Sequence, residues 1–107
     1  MTDDPNKIRQ QRMLFDQIDQ AIGETNRDVI HGLIPKLDKA VFLKMAKGVA
    51  QLRVKYIAAG IQLAQTDGLK EPQLQQLKSL REQFEEARAA FDAVKRAVSR
   101  GYIDISE

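Results

Sequence analysis

Cysteine is absent from this chain of 107 residues. Its absence excludes disulfides, thiolate metal sites and cysteine nucleophiles, and it fits a reducing compartment. We therefore expect a cytoplasmic protein. The polar start of the sequence predicts no secretory signal, and no apolar run approaches the length that crosses a membrane.

Aromatic residues are also scarce, at 6 % of the chain with no tryptophan. A core built from this composition must be mostly aliphatic and alanine, which suits closely packed helices. The apolar fraction of 43 % and the charged fraction of 30 % are typical of a globular chain rather than a disordered one. The length predicts a single helical domain over residues 1–107, with a short tail at 101–107.

Motifs that carry enzyme chemistry are missing as well. The six glycines are scattered singly, so no phosphate loop or nucleophile elbow is present. His31 is the one histidine, and Asp28, three residues earlier, is its nearest acid in sequence. A general base or a metal ligand is conceivable there, but one such pair is not a metal site. We predict no enzyme, no cofactor and no metal, with His31 an ordinary surface or boundary residue.

Glycine and proline divide the sequence into four predicted helices, and nothing in it demands a strand. A capping Asp4 followed by Pro5 begins the first helix, Pro35 breaks the second and Gly101 ends the last. A turn at 66–68, with Gly68 in a left-handed conformation, ends the third. The predicted helices run from Pro5 to Gly23, around residues 29–34, from 36 to 66 and from 71 to 100.

Two heptad seams of apolar residues predict how the two long helices pack. The central seam lies in the third helix and the C-terminal seam in the fourth, and a short turn joins helices of similar length. An all-α fold follows, with these helices in an antiparallel hairpin inside a small bundle of three main helices plus a short one. The central seam is Phe42, Met45, Val49, Leu52, Tyr56, Ala59 and Leu63; the C-terminal seam is Leu77, Leu80, Phe84, Ala87, Phe91, Val94 and Val98.

The central helix carries a second row of apolar residues, the outer stripe, about a third of a turn round from its seam. The first helix could cover this row with Ile8, Phe15, Ile18 and Ile22, which would complete a self-contained bundle. Alternatively, a second copy of the chain could cover it, since small chains with long helices often need a partner to fill their core. The outer stripe is Leu43, Ala46, Ala50, Val54, Ile57, Ile61 and Ala64.

A lysine face on the central helix is the other candidate surface. It comprises Lys36, Lys44, Lys47 and Lys55, and Asp38 is the one acid between residues 36 and 55. Such a face is ordinarily solvated, although it could also contact the phosphates of a nucleic acid.

Residues 48–57, GVAQLRVKYI, resemble the second half of a helix-turn-helix. That resemblance implies a turn at Gly48 with Gln51 and Lys55 facing DNA. The heptad spacing runs through Gly48 without a phase break, which favours one continuous helix instead.

The leading functional hypothesis is a small, non-enzymatic helical module for protein–protein interaction. We expect a homodimer that also binds an unidentified protein and does not bind a membrane. The dimer or partner interface would use Leu43, Ala50, Val54, Ile57, Ile61 and Ala64. The alternative is a nucleic-acid-binding protein that uses the lysine face.

Overall fold

The computed structural model describes residues 4–66 and 70–107 of the chain, and three helices hold most of them. The helices contain 29, 26 and 29 residues. The structure also contains two strands of three residues each, one between the first and second helices and one after the third. In chain order the elements are α1 (Pro5–Leu33), β1 (Lys36–Asp38), α2 (Lys39–Ala64), α3 (Glu71–Ser99) and β2 (Asp104–Ser106).

Helix α1 begins as predicted and ends ten residues later than predicted. The Asp4 side chain caps its first turn by accepting the N–H of Asn6 at 3.0 Å. The helix then continues through Gly23 to Leu33, so a separate short helix around residues 29–34 was wrong. A glycine inside a helix costs only about 1 kcal/mol relative to alanine, which an unbroken helix tolerates. Pro35 stops the helix because it supplies no N–H and clashes with the preceding turn.

Capping residues define where α2 and α3 begin and where α3 ends. Asp38 accepts the N–H of Ala40 at 2.8 Å at the start of α2, so this helix begins at Lys39 rather than at Lys36. The Gln73 side chain accepts the N–H of Lys70 at 3.0 Å before α3. Gly101 ends α3 with a φ of +75°, a left-handed conformation that favours glycine. The predicted conformation of Gly68 lies outside the described residues.

Helix α2 packs against α3 along the two predicted seams. Every residue of both seams is at least partly covered, and Val49 is 7 % exposed. The ring centroids of Phe42 and Phe91 lie 5.2 Å apart, and those of Tyr56 and Phe84 lie 6.4 Å apart. The mostly helical class and the packing of these two helices are therefore confirmed.

Strand β1 pairs in parallel with β2, which the sequence did not predict. Lys36 lies opposite Asp104, Leu37 opposite Ile105 and Asp38 opposite Ser106. A three-residue strand carries too little alternation to be read from sequence, because its pairing depends on a partner far along the chain. Residues 104–106 of the short tail therefore form a strand, although nothing in the sequence demanded one.

A small junction, called here the corner, holds α1 to the tail. It comprises the β1–β2 pair, His31 and residues 102–104. His31 Nδ1 lies 3.2 Å from the carbonyl oxygen of Tyr102, and His31 Nε2 lies 3.4 Å from Asp104 Oδ2. Ile103 is 5 % exposed, the lowest value among the buried residues. The Tyr102 hydroxyl also approaches α1, 3.7 Å from where a Cβ on Gly23 would lie.

The molecule is flat and extended. The radius of gyration of its Cα atoms is 21.8 Å, and its extents are 66 × 50 × 17 Å. A compact chain of this length has a radius of gyration of about 13 Å. Helix α1 buries none of its residues, and the main helix–helix contact of the described chain is between α2 and α3. Within the described residues, α1 therefore does not cover the outer stripe of its own chain, and of the two alternatives only coverage by a second copy remains.

Candidate protein–protein interface

The outer stripe of α2 faces solvent along most of its length. Val54 is 64 % exposed and Ile57 is 51 % exposed, and Leu43 and Ile61 are similarly open. Ala50 and Ala64 are exposed too, while Ala46 is partly covered. Large aliphatic side chains of this kind are ordinary when scattered singly, but a continuous row marks an interaction surface.

An open groove of about 570 Å³ interrupts this stripe near its middle. Ala50 and Val54 contribute apolar lining, and Lys47, Gln51 and Lys55 contribute polar lining. The small side chain of Ala50 leaves space between its larger neighbours. A groove with this lining suits a large apolar side chain from a facing helix. The lysines at its edge would place positive charge beside that side chain.

Helix α1 presents a second exposed apolar row, the α1 stripe. Its members follow one another at spacings of three, four and seven residues, so they share one side of the helix. Phe15 is 63 % exposed, and none of the others is buried. The spacing in the sequence predicted most of these residues and left open whether they complete the core of the same chain or that of a second copy. The α1 stripe is Ile8, Phe15, Ile18, Ile22 and Val29.

The lysine face is only partly helical. Lys44, Lys47 and Lys55 lie exposed on α2, whereas Lys36 lies on β1, in register with Asp104. Helix α2 contains five basic residues and no acidic one. The ion pairs found within residues 4–66 and 70–107 are His31–Asp104 and Lys78–Glu82, so the α2 lysines have no acidic partner there.

Helix α2 runs without a break through Gly48, which is partly covered. The turn implied by the resemblance to a helix-turn-helix is therefore wrong. Gln51 and Lys55 line the apolar groove instead of projecting from a separate recognition helix.

His31 belongs to the corner. Its side-chain contacts are Asp104 and the Tyr102 carbonyl, and Asp28 is not one of them. Over the described ranges, no three His, Cys, Asp or Glu residues come together in a way that could hold a metal ion. The histidine therefore links α1 to the tail across 71 residues of sequence.

Comparison with models of protein families, with curated proteins and with solved structures finds no match to the chain. Within the part of the chain that the structure describes, no helix combines the length and apolar character needed to cross a bilayer. The two exposed apolar stripes are thus the features on which a function can be argued.

Proposed function

We propose that the chain is a non-enzymatic helical module for protein–protein interaction that acts as a homodimer. The observation that carries the proposal is the exposed outer stripe of α2. Burying Val54, Ile57 and Ile61 against a partner would stabilise the complex by about 1.5–3 kcal/mol for each side chain.

The surface area of one copy supports a large interface. The chain exposes 8788 Å², whereas a compact monomer of 12.1 kDa exposes roughly 6,000 Å². The excess of about 2,800 Å² for each copy is about 5,600 Å² for two copies, which is at least as large as the total area of about 2,000–5,000 Å² that obligate homodimers typically remove from water.

We also propose that α2 and α3 form an antiparallel hairpin that presents the outer stripe. Phe42, near the start of α2, contacts Phe91, near the end of α3. Tyr56, two-thirds of the way along α2, contacts Phe84, nearer the start of α3. A hairpin packed along both seams would keep the outer stripe rigid before a partner binds. Association would then cost little conformational entropy.

Light scattering and sedimentation equilibrium test the proposal directly. The natural chain is expected to be a dimer, and Ile57→Asp with Ile61→Asp is expected to weaken dimerisation at least about 100-fold, since about 3–6 kcal/mol of apolar burial is lost. Ala58→Asp with Gln62→Asp, one position further along, adds the same two charges beside the stripe and should weaken dimerisation much less. A natural chain that stays monomeric at high concentration contradicts the proposal.

A nucleic-acid-binding protein remains a second candidate, because the α2 lysines have no acidic partner within the described residues. Fluorescence anisotropy with a mixed-sequence DNA duplex, at low and at physiological salt, tests it. If Lys44 and Lys47 contact phosphates, Lys44→Glu with Lys47→Glu should weaken binding and reduce the slope of log affinity against log salt by about 2. Lys78→Glu with Lys95→Glu, which makes the same charge change on α3, is the control. Equal binding by both variants removes this candidate.

A further inference from the structure

We infer that the partner of the outer stripe is helix α1 of a second copy of this chain, laid antiparallel, with the same contact made reciprocally. This inference rests on the proposed homodimeric function and specifies its geometry. It leaves both apolar stripes of both copies covered by one symmetric arrangement.

The lengths of the two stripes match. The α1 stripe spans residues 8–29, and the outer stripe spans residues 43–64. In each row the last residue lies 21 positions after the first, a distance of about 32 Å at about 1.5 Å per residue. One stripe can cover the other over this length, and Leu33 of α1, which is 80 % exposed, extends beyond the start of the outer stripe.

The corner prevents α1 from covering the outer stripe of its own chain. The contacts of His31 with Asp104 and with the Tyr102 carbonyl fix the end of α1 to the tail, and Tyr102 approaches the same helix again near Gly23. Strand β1 forms the connection from α1 to α2, and its pairing with β2 holds that connection in place. Folding α1 back onto α2 would require these contacts to break, so the covering helix must come from another molecule.

The charges of α1 favour the antiparallel direction. When residue 8 is level with residue 64, and residue 29 with residue 43, Asp16 and Asp19 lie level with residues 53–56 of α2. That segment carries Arg53 and Lys55. The acidic side chains of one copy then lie beside basic side chains of the other, which favours association. Within the described residues of a single copy, these bases have no acidic partner, and Arg53 lies over the Phe84 ring.

The basic start of α1 excludes the parallel direction. In a parallel pairing of the two stripes, Arg9 would lie level with Lys44, and Arg12 with Lys47. Like charges facing each other in this way oppose association. In the antiparallel pairing the same arginines lie level with residues 60–63, a segment without charge.

The same register fills the groove of α2. Ile18 of the second copy comes level with Val54, and Ile22 comes level with Ala50. Both isoleucines are exposed in the single copy, and both Val54 and Ala50 line the groove. Large side chains thus enter the space that the small Ala50 leaves, as knobs enter holes between paired helices.

The flat shape of the protomer permits the two contacts to form together. A two-fold axis can place the corners of the two copies side by side. The N-terminal end of each α1 then lies beside the C-terminal end of α2 in the other copy. This is the register that the stripe lengths and charges select independently. The interface is then isologous and closed, because each copy uses the same two surfaces.

Cross-linking tests this arrangement cleanly, because the natural chain has no cysteine. We would introduce Ile22→Cys and Ala50→Cys, separately and together, and oxidise each variant at a concentration where light scattering shows a dimer. The double variant is expected to become mostly covalent dimer on a non-reducing gel. An equal mixture of the two single variants should form covalent heterodimers, while each single variant alone should stay uncross-linked.

The outcomes separate this inference from the proposed function. A monomer in light scattering overturns both. A dimer in which the single variants cross-link alone means that like helices face each other, which overturns the inference and leaves the homodimer standing. A disulfide inside one chain means that α1 folds back. A dimer in which neither this pair nor the pairs of Ile22→Cys with Ala46→Cys or Val54→Cys cross-link also overturns the inference.

Discussion

A chain carrying Ile18→Asp and Ile22→Asp is expected to be a monomer with its helices intact. In the proposed dimer these two side chains fill the groove of the other copy, so their replacement loses about 3–6 kcal/mol of apolar burial at each of two equivalent contacts. Dimer affinity should fall by at least about 1,000-fold, since each 1.4 kcal/mol is a factor of about ten. Sedimentation equilibrium measures the affinity, and circular dichroism verifies the helix content.

The matched control for this variant is Gln10→Asp with Gln17→Asp. Both glutamines are exposed on α1, away from the α1 stripe, and the change adds the same two charges to the same helix. This control should remain dimeric. If both variants dissociate alike, net charge rather than the α1 stripe controls association, and the proposed geometry loses its support.

Phe84→Ala is expected to give the largest loss of stability among single substitutions between α2 and α3. The Phe84 ring stacks on Tyr56 with centroids 6.4 Å apart. The guanidinium carbons of Arg53 and Arg88 lie 5.2 and 5.5 Å from its centroid. Because the residue is partly rather than fully buried, we expect a loss of about 2–3 kcal/mol, below the ~3–5 kcal/mol of a fully buried phenylalanine.

Urea unfolding at a fixed protein concentration measures this effect, because the stability of a dimer depends on concentration. Phe84→Leu keeps apolar volume but removes the aromatic and cation–π contacts, so it should lose less than Phe84→Ala. An unchanged urea midpoint for Phe84→Ala would mean that this ring does not hold α2 against α3.

The packing of α2 on α3 was predictable because it is local and repetitive. Spacings of three and four residues from Phe42 to Leu63 and from Leu77 to Val98 identify the buried sides of two helices that are close in sequence. Each seam repeats the same signal about seven times, so one ambiguous residue does not change the conclusion. The covered state of all of these residues confirms that interpretation.

The position of α1 was not predictable for the opposite reason. It depends on single contacts with residues far along the chain, such as His31 with Asp104 and Lys36 opposite Asp104. A three-residue strand or a single histidine contact produces no periodic pattern in the sequence from which it could be predicted. The spacing of Ile8, Phe15, Ile18 and Ile22 identified an apolar side correctly, but it carried no information about which chain would cover it.

Gly23 illustrates a smaller failure of the same kind. A glycine is a common helix end, and the polar residues after it resemble a turn. The helix continues because the apolar spacing stays in phase from Ile22 to Val29, and Thr25 bonds back to the Ala21 carbonyl at 2.9 Å as it does inside a helix. The cost of one internal glycine was smaller than that of ending the helix.

The parallel pairing of residues 36–38 with 104–106 also sets an order of events during synthesis. The packing of α2 on α3 involves only nearby segments and can form early, whereas the strand pairing closes a loop that contains both helices, and such closure is slow. Residues 104–106 must have left the ribosome before this pairing can fix the direction of α1. Before that point the α2–α3 pair can already be formed while the first helix has no fixed direction, and a reciprocal dimer could assemble only after residues 104–106 have emerged.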